Sequence, residues 1–173
     1  MADLTRPLIS ELEQEAATTR RVIERVPGDR LDFQPHPKAM TLGQLALHVA
    51  RIPGSFARLG RLDGLDAATA DFKNDSPADV EEVRTTLEAS VTDALAFLAE
   101  LDEEKATGLW RLYHGERDLM TLPRLALVRT LMLNHWYHHR GQLVTYLRIL
   151  GVAVPSVYGP TADENPFAAA MAA

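Results

Sequence analysis

The sequence predicts an all-α fold, a four-helix bundle with a long crossover, on three observations. Apolar residues recur at the helical period through four long stretches. Those stretches carry recognisable start or stop residues. The connection from Gly60 to Asp75 is about 50 Å long when extended, whereas an 18-residue helix spans about 27 Å. It can therefore run the length of a bundle and join parallel neighbours.

The first helix is expected over Leu4 to Val26, with Leu8, Leu12, Ala16, Ile23 and Val26 on one stripe and Glu11, Glu13, Glu15, Arg20 and Arg21 largely elsewhere. Pro27-Gly28-Asp29 stops it, and Pro35 and Pro37 make Leu31–Lys38 an extended loop. Thr41 and Gln44 form a capping box for the second helix, with Met40 and Leu45 as a hydrophobic staple and Leu42, Leu45, Val49 and Ile52 as its apolar face. Pro53-Gly54 is expected to kink or interrupt this helix before Phe56 and Leu59.

Ser76 is expected to cap the third helix, with Pro77 in its first turn and Asp79, Glu81 and Glu82 at the positive end of its dipole. Its core stripe is Val80, Val83, Leu87, Val91, Ala94, Leu95 and Leu98, ending near Asp102. The partial alternation of Trp110–Met120 around a glycine reads as a short β-hairpin, the one departure from helix. Thr121 and Pro123 open the last helix, which runs to about Leu150 and stops at Gly151. A Pro-rich segment and a small-residue tail follow.

Composition narrows the function classes. The chain has 173 residues, which suits one domain over 1–173, and 46% hydrophobic with 24% charged residues argues against disorder. Its net charge of −6 lacks the basic footprint that nucleic acid requires. The absence of cysteine removes disulfides, thiolate nucleophiles and Cys-type zinc sites, so any metal must sit on His, Asp or Glu. The charged N-terminal stretch and the lack of a long apolar run lead us to expect a soluble, cytoplasmic protein without membrane partners.

In the last helix, steps of seven link Leu125, Met132, His139 and Tyr146, and likewise Val128, His135, Gln142 and Ile149. These sets predict one core-facing seam. His135 and His139, four apart, then share a face where their imidazoles can converge on one ion. His48, three after Leu45 and four before Ile52, also faces inward. The residues alone leave two readings open: a three-histidine metal site, or core histidines bonded separately to groups such as Gln142 and Tyr146. His138 lies off the seam, and His36 and His114 fall in loop-like segments where a solvated histidine is expected. Gln142 and Gln44 are candidates to orient an imidazole, with the capping box favoured for Gln44. Arg140 is expected to point away from His139, into a surface salt bridge or helix packing. Gly141 is expected to allow close helix approach, with a dimer face as one place for it, and Trp136 and Tyr137 to pack. Tyr158, Asp163 and Glu164 could either fold over the metal mouth or cap the helix.

The segments PHPKAMTLGQLALHVARIPG (35–54), TLPRLALVRTLML (121–133) and NHWYHHRGQLVTYLRILGVAVPSVYGPTADE (134–164) resemble the DinB family, the DinB/YfiT-like metalloenzymes, in order and spacing over nearly the whole chain. The most specific part is His-x-x-His-His-Arg-Gly-Gln paired with an upstream helical His. The resemblance implies an up-down-down-up bundle, homodimers, and a divalent ion on His48, His135 and His139. Zinc, nickel and iron have been associated with such sites. It also implies chemistry on a small molecule, in some relatives with a low-molecular-weight thiol. Three functions follow as expectations: a metal-dependent transferase or hydrolase, a non-catalytic metal-binding or stress-linked bundle, and a metal-free structural dimer. The sequence assigns no catalytic residue.

Overall fold

The structure, a computed structural model, describes residues 4–71 and 73–171. Position 72 of the long connection and the last two residues of the small-residue tail lie outside them. Helix α1 spans Arg6–Ile23, α2 Leu42–Gly60 and α3 Val80–Glu100; the last helical run covers 124–149. These four stretches meet around one core, with α2 against α3 and α6, and α1 against α3 and α6 (His135–Ile149). None of the described helices is long and apolar enough to cross a membrane.

The expected apolar stripes are buried. In α1, Leu8, Leu12, Ala16 and Ile23 are covered, and extended Pro27 ends the segment. The capping box of α2 is complete: Gln44 N–H donates to Thr41 Oγ1 at 3.2 Å, and Thr41 N–H donates to Gln44 Oε1 at 3.0 Å. Pro53 does not interrupt α2, which is continuous through it. A proline removes the N–H that would bond the carbonyl four residues back, here Val49. Trp136 Nε1 donates to that carbonyl at 2.9 Å instead. The next residue, Gly54, lets α3 approach: a Cβ there would sit 2.9 Å from Ser90 Cα, and Gly54 N–H donates to Ser90 Oγ at 2.7 Å.

Helix α3 starts later than expected. Asp79, not Ser76, is its cap, accepting from Glu82 N–H at 2.9 Å, while Glu82 accepts from Ala78 N–H at 2.7 Å. Pro77 packs toward Gly43 rather than into the first turn.

The all-α expectation is corrected by a small three-stranded sheet. Strand β1 (Gly64–Asp66) pairs parallel with β2 (Leu109–His114), which forms a hairpin with β3 (Arg117–Pro123). The hairpin was expected; its turn uses Gly115 at φ +59°, a conformation that favours glycine. The three-residue β1 was not, because it pairs with residues about 47 positions away and carries no periodicity of its own. A short helix α4 (Glu103–Thr107), capped by Asp102, links α3 to the sheet. Trp110 is buried at this end, its Nε1 donating to Leu59 O at 3.0 Å.

The last helical run is not uniform. It opens as α5 (Arg124–Leu127), passes through a π-helical segment over Val128–Asn134, and continues as α6. A π turn holds an extra residue, so the heptad seam does not survive it. The buried line runs Val128, Met132, Trp136, Arg140, Leu143, Leu147; Gln142 and Ile149 are exposed. A four-residue α7 (Ala168–Met171) closes the described chain. Within the chain no helix approaches Gly141, where a Cβ would meet nothing within 4 Å.

Candidate metal centre

The slip of the seam places His135 and His139 at the edge of the core rather than within it. Both are half-buried and face the equally half-buried His48 on α2. The bond from Trp136 Nε1 to the Val49 carbonyl joins the residues immediately after His135 and His48. It fixes the spacing of the two helices at the level of the histidines, and Pro53 makes that carbonyl available.

The three rings meet edge to face. Ring centroids of His48–His139 and His135–His139 are 4.5 Å apart, and those of His48–His135 5.3 Å. One ligand nitrogen from each ring lies within 4.8 Å of the others, and Nε2 of His48 is 3.5 Å from Nε2 of His135. Two nitrogens bound tetrahedrally at about 2.0–2.1 Å from one ion sit about 3.3–3.4 Å apart. The observed separation matches that edge and is long for a hydrogen bond.

The outer side of His139 is held as well. Its Nδ1 lies 2.7 Å from Gln142 Oε1, which can only accept, so Nδ1 carries the proton and Nε2 is free for a ligand. Phe56 packs edge-on against His135 at 5.6 Å.

Burial lowers the proton affinity of all three rings. His48 falls furthest, to about 4, through desolvation, then through the charges that His139, His135 and Arg51 would bring. His135 is lowered by desolvation, with the Leu131 carbonyl acting in the opposite sense. His139 is lowered by desolvation and partly restored by Gln142. The rings are therefore neutral near pH 7, the state in which imidazole is a ligand. The donor set fits a divalent ion: three nitrogens, with no carboxylate in the cluster among the described residues.

His138 and His36 are exposed, and His114 is exposed at the end of β2, as expected. Gln44 completes the capping box and also donates to Asn74 O at 3.2 Å. Tyr146 is half-buried, its hydroxyl donating to Met40 O at 3.2 Å. Trp136 is fully buried, and Tyr137 donates to Glu11 Oε1 at 2.8 Å.

Arg140 points away from His139 as expected, into helix packing rather than a surface salt bridge. It is 1% exposed, pairs with Glu15 at 2.5 Å, and donates to Thr19 Oγ1 at 3.1 Å and Tyr158 Oη at 2.6 Å. A heptad reading turns position 140 outward; the π segment turns it inward. Tyr158, Asp163 and Glu164 do not reach the histidines. They bind Arg140, Arg148 and Arg21, which fastens the C-terminal segment to α1 and α6. Sequence reasoning missed Arg51, which bonds Asp75 Oδ2 at 2.6 Å, although its position three residues after His48 was visible. A cleft of about 690 Å³, bordered by Arg61, Phe97, Glu100, Lys105 and Arg124, shares no lining residue with the histidines.

The model of the DinB family matches residues 1–166. This chain belongs to the DinB family. Among DinB-like solved structures, one from Bacillus cereus ATCC 10987 has a TM-score of 0.68 at 22% identity, covering 86% of this chain and 94% of that one. YjoA of Bacillus subtilis, also DinB-like, has a TM-score of 0.65 at 19% identity, covering 87% and 97%. The uncharacterized protein YrdA of Bacillus subtilis strain 168 is 24% identical over 157 residues, 88% of this chain and 86% of its own length. At these identities the solved structures establish the DinB-like fold, and the chemistry must come from the centre itself.

Proposed function

We propose that this DinB-family protein holds one divalent metal ion on His48, His135 and His139 and acts on a small molecule, as a transferase or hydrolase. The observation that carries the reading is the convergence of three neutral imidazoles, two of them with Nε2 atoms at the spacing of a tetrahedral edge. When bound, the ion supplies a Lewis acid with a coordination position left open by a three-ligand set. His48 and His135 approach it from facing helices, and Gln142 keeps the His139 proton on Nδ1. Phe56 shields one side of His135. With no cysteine in the chain, a low-molecular-weight thiol would bring its own sulfur nucleophile. The packing of α2 on α3 and of α1 and α2 on α6 supports reading the long helices as the up-down-down-up four-helix bundle of the resemblance.

Elemental analysis of protein purified without an affinity tag tests the metal reading. One zinc, nickel or iron per chain is expected, with His48→Ala and His139→Ala each weakening binding by more than the roughly 100-fold ceiling of an outer-shell change. Equal metal content in all three proteins would contradict it.

A further inference from the structure

We propose that Arg51 is an anion anchor at the rim of the histidine centre, so that the small molecule handled there carries a carboxylate or a comparable anionic group. The inference rests on the metal reading above and adds a substrate class to it.

Gln44, His48 and Arg51 are spaced by four and three residues and share one stripe of α2. The end of the long connection crosses this stripe: Gln44 Nε2 donates to Asn74 O at 3.2 Å, and Arg51 Nη1 donates to Asp75 Oδ2 at 2.6 Å. An acidic side chain from a connecting segment thus occupies the cation beside the centre. The pair is easily exchanged. The Arg51 and Asp75 side chains are 38% and 65% exposed, and the bond uses one of the guanidinium's five N–H groups. By contrast, Arg20 and Arg129 hold Glu88 and Glu11 through paired bonds. An arginine fork with free donors is suited to receive a planar carboxylate in two-point fashion.

Charge balance points the same way. Three neutral imidazoles and a divalent ion leave +2, with no carboxylate in the cluster among the described residues. Arg51 adds positive charge beside His48 once an incoming anion takes the place of Asp75. Such a centre attracts an anion before any contact is made.

The test uses the full chain loaded with cobalt(II), whose visible absorption reports ligands entering the centre. The probes are 3-mercaptopropionate and its neutral amide, which share a metal-seeking head and differ in the charge of the tail. The ratio of the amide's dissociation constant to the acid's should be about tenfold larger in wild type than in Arg51→Met. Arg51→Lys should recover part of the preference. Asp75→Asn, which releases the anchor, should tighten the acid about threefold and leave the amide unchanged. An equal ratio in wild type and Arg51→Met, with cobalt bound normally in both, would overturn the anchor and leave the metal reading standing. Failure of wild type to take up cobalt on the histidines would overturn both.

Discussion

His139 and Arg140 are consecutive residues on α6, and they belong to opposite kinds of polar environment. On the Arg140 side, every charge has a partner. Arg140 meets Glu15, Thr19 and Tyr158, and its guanidinium carbon lies 5.3 Å and 5.2 Å from the ring centres of Tyr137 and Tyr158. Nearby, Arg129 holds the Glu11 carboxyl below its ordinary range, and burial together with Glu11 pushes the Tyr137 hydroxyl up. On the His139 side, ring nitrogens face one another across a gap the size of an ion. A saturated cluster holds helices together; a convergent set of lone pairs calls for something from outside.

The difference predicts that the two faces fail in different ways. Arg140→Leu leaves the Glu15 carboxylate, 14% exposed, without its cation and with only the Tyr158 hydroxyl, and should cost about 3 kcal/mol in urea unfolding. Adding Glu15→Leu should return most of that loss, because burying the pair itself contributes little net stability. If the single variant were as stable as wild type, the saturated cluster would not be holding α1 to α6. Next in size, Gln142→Ala should weaken metal binding about tenfold, within the range for a group that orients a ligand. Unfolding of the apo form should be unaffected, since Gln142 is exposed. Gln142→Glu, which keeps the acceptor, should restore affinity; a loss of affinity in both would assign Gln142 no orienting role.

A third effect is on the pH dependence of the metal-free protein. The folded-state proton affinity of His48 lies below its ordinary value of 6.5, at about 4. Stability linked to it is therefore complete above pH 6.5 and declines as pH falls toward 4, because the unfolded chain binds more protons there. The carboxylates of Glu11 and Glu88 are held below 4.5, so their losses come later. His48→Gln should make the decline between pH 6.5 and 4.5 shallower, with His135 and His139 supplying the rest; an unchanged slope would show that the ring is not desolvated.

Much of this was legible in the residues. The capping box at Thr41, the apolar stripes of α1 and α3 and the hairpin glycine act locally, so spacing alone reveals them. The residues alone left the histidines either sharing a metal or bonded separately; the resemblance joined His48 to His135 and His139, and the seam that suggested the inward face is displaced by the π segment. What escaped reading depends on distant partners. Pro53 looks like a helix breaker until Trp136, 83 residues on, fills the carbonyl it leaves open. Arg140 looks solvent-facing until the π segment rotates it toward Glu15. Strand β1 exists only because β2 is there to pair with it.

X-ray absorption at the metal edge of the zinc-loaded protein tests the central claim most directly. The account predicts three imidazole nitrogens at about 2.0–2.1 Å, reduced to two in His48→Ala. A shell made of oxygens alone, or a spectrum unchanged by that substitution, would contradict it.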